Sequence, residues 1–226
     1  MMYAFAENYV LALSHDEVVH GKRSLLDKMW GSYEEKFAEL KLLYSFMYAH
    51  PGKKLLFMGG EFGQFVEWRF AEGLDWLLED YDAHRKLRQF CKDLNNFYRE
   101  HPALYEIERE QGDWRGFRWI KADDCDNSVL AFLRADANQT EKLLAVLNFT
   151  PVEHKKYVIG VPDAGEYEVV LSTNRKCYGG DGKGSKKCKA RKKPWDGLPY
   201  SIELALPPLT ALYLKHASKS EEQDKK

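Results

Sequence analysis

Two short apolar stretches in the first hundred residues resemble parallel strands, and a helical segment follows each. Tyr9–Leu13 ends at a polar segment. Leu55–Met58, which we expect to be a buried strand, ends at a glycine-rich tetrapeptide. Apolar strands that alternate with helices are typical of a parallel sheet covered on both faces. Two such strands cannot close a barrel, and an open pair leaves apolar faces and unpaired edges. We therefore expect further strands from a larger form of this protein, of which the chain is the C-terminal part, or from a second polypeptide.

The two helical segments have recognisable start and stop signals. Ser32 and Glu35 match a capping box, and the helix that follows is apolar on nearly all sides, so we expect it to be buried. His50 and Pro51 end this helix, and a second helix is predicted from about His84 to Arg99. The strand–helix order places the polar residues at the C-terminal ends of the strands, where α/β barrels carry their chemistry.

After residue 105 the pattern changes to short strands separated by turn residues. The seven predicted strands are Gly116–Ile120, Ser128–Arg134, Leu143–Phe149, Lys155–Val161, Glu166–Ser172, Tyr200–Leu206 and Leu209–Lys215. Several of them alternate apolar and polar residues, which indicates an antiparallel β-sandwich. A domain boundary is therefore expected near residues 105–112.

Composition argues against several classes of function. The 226 residues carry a net charge of −1, and a nucleic-acid-binding domain normally requires a strongly basic balance. The sequence contains no run of about 18 apolar residues, which is the length that a membrane span requires. The first eight residues do not resemble a signal peptide. The four cysteines lack the CxxC spacing of zinc sites, so we expect a reducing, cytoplasmic environment. Aromatic residues make up 14% of the chain, and their rings can stack on flat ligands such as sugars.

The densest polar cluster is the segment at 14–22, which reads SHDEVVHGK and follows the first strand. One interpretation is a metal site formed by His15, Asp16 and His20. The two histidines are five positions apart, however, whereas the helical HExxH motif requires a spacing of four. The second interpretation is carbohydrate chemistry, because a histidine and a carboxylate at a strand end can bind adjacent sugar hydroxyls.

The segment at 13–22 resembles the fourth conserved region of the 1,4-alpha-glucan (glycogen) branching enzymes, a family of the alpha-amylase clan. The segment LLFMGGEFGQ at 55–64, the Glu67-Trp68 pair and LDW at 74–76 resemble the part that follows in that family. LPPL at 206–209 resembles its last strands. The resemblance extends from about residue 3 to residue 216.

This resemblance implies a fold of two parts, α/β and all-β. Tyr9–Leu13 and Leu55–Met58 correspond to the seventh and eighth strands of a TIM (β/α)8 barrel, whose C-terminal end is residues 1–106. Residues 107–216 correspond to an all-β C-terminal domain, and residues 217–226 are expected to be a disordered tail.

The resemblance also implies roles for individual residues. Asp16 corresponds to the carboxylate that stabilises the transition state, and His15 to a hydrogen-bond partner of the sugar in the same subsite. The remaining candidates for substrate binding are Glu17, His20, Glu61 and Trp68, although a packed indole is an equally good interpretation of Trp68.

The implied reaction of the whole enzyme cleaves an α-1,4-glucan and transfers the chain to form an α-1,6 branch, with retention and without a cofactor or metal. Such a reaction requires a nucleophile and an acid/base carboxylate about 5–5.5 Å apart. In the family both lie on strands four and five, upstream of the matched residues. We therefore expect the 226 residues alone to be inactive, with the N-terminal part of the enzyme as partner and an α-1,4-glucan as ligand. The alternatives are a non-catalytic α-glucan-binding module and a metal-dependent hydrolase.

The basic segment Lys183–Lys193 is predicted to be a solvated loop, with a contact to an acidic partner as the alternative. Cys177 precedes this loop and Cys188 lies within it. The two could pair under oxidising conditions, whereas a reducing compartment favours free thiols.

Overall fold

The computed structural model describes residues 9–107 and 115–217. The helices are α1 (Leu25–Lys28), α2 (Tyr33–Ala49) and α3 (Asp82–Glu100). The strands are β1 (Val10–Leu13), β2 (Lys53–Leu56), β3 (Phe117–Asp124), β4 (Val129–Ala135), β5 (Lys142–Asn148), β6 (His154–Val161), β7 (Glu166–Ser172), β8 (Lys187–Lys189), β9 (Tyr200–Leu206) and β10 (Thr210–His216). The predictions for residues 1–8, for 108–112 of the boundary region and for 218–226 of the tail fall outside the described residues.

Three layers make up the described part of the chain. The middle layer is a six-stranded antiparallel sheet in the order β3-β4-β5-β10-β7-β8. The antiparallel pair β6-β9 packs on one face of it, where Ile159 and Leu204 meet Val146 and Leu212. Helices α2 and α3 cover the other face, where Leu40 belongs to the same apolar cluster as side chains of the sheet. The predicted antiparallel character of this half of the chain is confirmed.

Residues 115–217 contain eight strands rather than the seven predicted. The additional strand, β8, lies inside the basic segment that the sequence predicted to be a loop, and it pairs with the edge of β7. Cys188 is buried opposite Tyr167, whereas Lys187 and Lys189 on either side of it are exposed. The prediction failed because one buried residue between two lysines is too short a pattern to indicate a strand. Cys188 and the exposed Cys177 are both free thiols.

The predicted capping box of helix α2 is present, with both of its reciprocal hydrogen bonds between side chain and backbone. Ser32 Oγ accepts from the amide of Glu35, and Glu35 Oε2 accepts from the amide of Ser32 at 2.7 Å. The helix is largely buried, as its all-round apolar character predicted. The four-residue helix α1 was not predicted because it is shorter than two turns.

Strands β1 and β2 form a parallel pair with the register Val10↔Lys53 to Leu13↔Leu56. The sequence predicted that the second strand is buried, and this is wrong for the described structure. Leu55 is 41% and Met58 51% exposed, because within residues 9–107 and 115–217 each of these two strands pairs only with the other. The membership of this pair in a barrel stays a prediction.

Polar contacts as well as apolar ones join the helical layer to the central sheet. Arg134 on β4 donates to Ala49 O at the end of α2, and Tyr213 Oη on β10 donates to Ser45 O. The two sides of the predicted boundary at 106/107 therefore share one core in this structure. The division into domains at that position stays a prediction.

Candidate functional site

The polar loop after β1 forms a short 3₁₀ turn over His15–Glu17, which Ser14 caps. Ser14 Oγ accepts from the amide of Asp16 at 3.2 Å and donates to Glu17 Oε2 at 2.8 Å. The hydroxyl hydrogen bond lowers the pKa of Glu17, because it stabilises the ionised carboxylate. Glu17 is thus directed toward its own loop.

His15 and Asp16 lie side by side at the end of β1 and are accessible to a ligand. His15 Nε2 lies 3.5 Å from Asp16 Oδ1, and the two side chains are 52% and 71% exposed. Lys22 Nζ donates to the backbone oxygen of Asp16 at 2.7 Å, which fixes the backbone and leaves the carboxylate open. The arrangement can therefore present a carboxylate and an imidazole to the same small polar ligand.

Two rings hold the imidazole of His15 in place. The centre of the Trp68 ring lies 5.9 Å from that of His15 at 78°, and Phe57 lies 6.0 Å away at 53°. Trp68 and Phe57 also meet edge-on at 5.2 Å. Edge-to-face pairs at such distances are favourable, so Trp68 has a packing role beside His15 in this structure.

Glu67 organises the loop, although its place in the sequence indicated no role for it. Its Oε2 accepts from the amides of Gly21 and Arg23 at 2.8 and 3.4 Å, and its Oε1 lies 3.4 Å from Nδ1 of the exposed His20. A further backbone bond joins the amide of Trp68 to Val18 O. The segment after β2 therefore braces the loop after β1. The only sequence signal for this was the position of Glu67 next to Trp68.

Glu61 lies in the second loop, on the 3₁₀ turn Gly60–Phe62 that follows β2. Its Oε2 accepts from the amide of Gly59 at 2.8 Å, and Tyr44 Oη donates to Gly60 O at the same distance. Gly59 has a φ of +88°, a left-handed conformation that glycine adopts without strain. Hydrogen bonds within this loop thus engage the Glu61 carboxylate.

The structure brings together three of the predicted site residues, His15, Asp16 and Trp68. His20 instead lies against Glu67, so the two histidines have different carboxylate neighbours. Within residues 9–107 and 115–217 no three His, Cys, Asp or Glu residues are grouped closely enough to hold a metal ion. No helix in the same two ranges is long and apolar enough to cross a membrane.

Comparison with known proteins adds the following similarities. Residues 119–217 match the family model described as "Alpha amylase, C-terminal all-beta domain". The chain is 50% identical over 215 residues to the 1,4-alpha-glucan branching enzyme GlgB of Halothermothrix orenii, and 51% identical over 215 residues to that of Aquifex aeolicus. Each alignment covers 95% of this chain and 34% of the relative. The enzyme from Bacillus caldolyticus is 44% identical over 224 residues, which are 99% of this chain and 33% of the relative.

The chain thus spans about a third of the length of the curated relatives that it matches. The resemblance to the C-terminal part of the branching enzymes, predicted from the segments at 13–22 and 55–64, is confirmed. A solved structure of an AmyP variant in complex with maltotriose aligns with a TM-score of 0.55 at 18% identity. The alignment covers 82% of this chain and 36% of that one, and it indicates similarity of fold.

Proposed function

We propose that this chain is the C-terminal third of a 1,4-alpha-glucan branching enzyme, whose complete form cleaves an α-1,4-glucan and rejoins it through an α-1,6 link. The observation that carries the proposal is about 50% identity to such enzymes over 95% of the chain, loops after β1 and β2 included. The pairing of His15 with Asp16 at the end of β1 supports it independently, because barrel enzymes carry their chemistry at that end of the strands.

The distribution of exposed apolar side chains supports a barrel that further strands complete. In the described part of the chain, 11 of the 14 exposed large hydrophobic residues lie between Val10 and Tyr81. Extended apolar surfaces on soluble domains mark sites that another surface covers. We infer that β1 and β2 are the seventh and eighth strands of a (β/α)8 barrel, and that the other six strands cover these residues.

In this proposal Asp16 stabilises the oxocarbenium-like transition state and His15 binds a hydroxyl of the same sugar. A carboxylate next to the ring gains most from the interaction when positive charge develops, because attraction to that charge adds to the hydrogen bond. Trp68 positions His15, and it completes the group of substrate-binding residues together with Glu17, His20 and Glu61. Retaining transfer by a nucleophilic carboxylate and a separate acid/base carboxyl group requires no metal or cofactor.

The substrate of the complete enzyme in this proposal is an α-1,4-glucan such as glycogen or amylose. The four free cysteines are compatible with a reducing compartment, so we place the activity in the cytoplasm. The 226 residues alone are expected to be inactive, because Glu17 and Glu61 are bound within their own loops and do not form a nucleophile and acid/base pair with Asp16.

The role of Asp16 is testable in a chimera that joins the first two-thirds of the Halothermothrix orenii enzyme to this chain. Asp16→Asn in the chimera is expected to lower kcat at least about 100-fold, a typical loss when one charge-stabilising group is removed. The readout is the fall in absorbance of the iodine–amylose complex. Asp123→Asn, at an exposed position on β3, is the matched control and should retain full activity. Equal activity of the Asp16 variant and the wild type would exclude the assigned role.

A further inference from the structure

A polar cleft lies on the β6–β9 side of the central sheet, whereas the loops after β1 and β2 belong to the helical side. It is open to solvent and has a volume of about 700 Å³, which is within the range of small-molecule sites. Its lining comes from the end of β3, the start of β6 and the turn before β9, and includes Lys121, Asp124, Asn127, Tyr157 and Trp195. None of these residues has a role in the proposed active site.

The turn that carries Trp195 is rigid. The amide of each of Trp195 and Leu198 donates to the carbonyl of the other, at 3.0 and 2.9 Å. Asp196 and Gly197 between them have φ values of +51° and +70°, which is the pattern of a type I′ hairpin turn. These contacts fix the backbone position from which the Trp195 side chain extends.

Contacts with strands β6 and β3 hold this turn in place. Asp196 accepts from the amide of Gly160 at 2.9 Å and forms an ion pair with Lys121 at 3.0 Å. A Cβ atom added at Gly160 would lie 2.2 Å from Trp195 O, so glycine is required for this close approach. A tight turn that a glycine and a buried carboxylate fix against a strand is a pre-organised support for the indole ring.

The polar side of the cleft is pre-organised too. Tyr157 Oη donates to Asp124 Oδ2, and Asn127 Nδ2 donates to Asp124 Oδ1 at 2.8 Å. The Asp124 carboxylate therefore keeps a fixed orientation and retains lone pairs for a ligand, since each oxygen can accept more than one hydrogen bond. The Trp195 side chain lies across the cleft and is 39% exposed, with Lys193 Nζ 5.6 Å from the ring centre.

We propose that this cleft is a second, non-catalytic binding site for an α-1,4-glucan chain. Trp195 stacks on the C–H face of one glucose unit, because the negative face of an aromatic ring attracts weakly positive hydrogens. Asp124 and Asn127 hydrogen-bond hydroxyls of the same or the adjacent unit. The identity of the ligand rests on the proposed function, whereas the cleft itself is present in this chain without the remainder of the enzyme.

The test is binding of maltoheptaose to residues 1–226 by calorimetry, with native gels that contain amylopectin as a second readout. We expect the wild type to bind and to be retarded. Trp195→Ala should raise Kd about tenfold, the effect of losing about 1.4 kcal/mol. Trp195→Phe should retain most of the affinity because it keeps an aromatic face. Trp30→Ala removes an indole that lies outside the cleft and is more exposed, at 82% against 39% for Trp195, and it should leave Kd unchanged.

Asp124→Asn keeps the shape of the side chain and is expected to raise Kd about threefold, as for loss of one hydrogen bond. It provides a second probe if Trp195→Ala alters folding, which circular dichroism detects. Wild-type affinity in both cleft variants, or no binding by the wild type, would overturn the second site. Neither result changes the branching activity expected of the chimera, so the failure of this inference and that of the proposed function are distinguishable.

Discussion

Lys41 is a buried lysine on helix α2, at the contact between the helical layer and the segment that follows β7. Its Nζ donates to Tyr178 O at 2.5 Å. Burial lowers the pKa of Lys41 to about 8 from its ordinary value of 10.5, because the charged form loses its hydration. The free energy of unfolding therefore contains a pH-dependent contribution from Lys41, which nothing in the sequence distinguishes from the other lysines.

The sign of this dependence follows from the proton balance of Lys41. Below about pH 8 both the folded and the unfolded chain hold the proton, and burying the charge costs about 3 kcal/mol. Between pH 8 and 10.5 the unfolded chain binds a proton that the folded chain has released, so stability due to this group rises with pH.

Lys41→Met removes the titratable group, so its free energy of unfolding, compared with that of the wild type, isolates the contribution of Lys41. This difference should shift by about 2 kcal/mol in favour of the wild type between pH 7 and pH 9.5. Urea unfolding at both pH values measures it. Lys92→Met, at an exposed position on α3, is the matched control with a constant difference. A constant difference for Lys41→Met as well would show that the lysine is not charged and buried as described.

The sequence predicted the principal residues of the candidate site better than the side chains that hold the loops around them in place. The position of His15 and Asp16 at a strand end followed from the apolar run before them, since local pattern decides where a strand stops. The role of Glu67 was not predicted, because its hydrogen-bond partners Gly21 and Arg23 are 46 and 44 positions away in the chain. The tertiary structure alone decides such contacts.

At the scale of elements, local signals accounted for the long helices and most strands. The capping box and the apolar periodicity predicted α2, and the alternating pattern predicted β7 and β9 with correct bounds. Short elements such as α1 and β8 lacked enough residues to show a period. The burial of β2 was predicted wrongly because burial depends on neighbouring strands, which the residues of β2 do not specify.

Arg134 joins three elements across the layers, and nothing in the sequence marked it among the other arginines. It is almost completely buried and donates to Gly116 O before β3, to Ala49 O at the end of α2 and to Leu104 O in the turn after α3. The Gly116 oxygen also accepts from the amide of Ala135 at 3.1 Å. The guanidinium is therefore most important for the other two oxygens, of which that of Ala49 lies at the negative end of the α2 dipole.

Arg134→Met is therefore expected to lower the free energy of unfolding by about 3 kcal/mol or more, since the oxygens of Ala49 and Leu104 lose their donor and each buried acceptor left without a partner costs about 1–3 kcal/mol. Urea unfolding followed by circular dichroism measures the change. Arg118→Met, at an exposed position on β3, is the same substitution and should change stability by less than about 0.5 kcal/mol. Equal effects of the two substitutions would contradict the joining role of Arg134.

At the scale of the whole molecule, a small β-sheet and a helical layer enclose a central antiparallel sheet, and the β1–β2 pair lies at one side with its apolar residues exposed. Counting strands in the sequence predicted that this pair needs further strands. The packing of α2 and α3 onto the central sheet was not predictable, because it rests on contacts such as that of Tyr213 with Ser45, 168 positions apart.

In the proposed function these 226 residues complete a branching enzyme. The most direct measurement counts α-1,6 branch points, as chain ends released by a debranching enzyme after amylose has been incubated with the chimera. We expect branch points with the chimera and none with this chain alone or with the first two-thirds of the relative alone. A folded chimera that shortens amylose without forming α-1,6 links, or branch points formed by this chain alone, would contradict it.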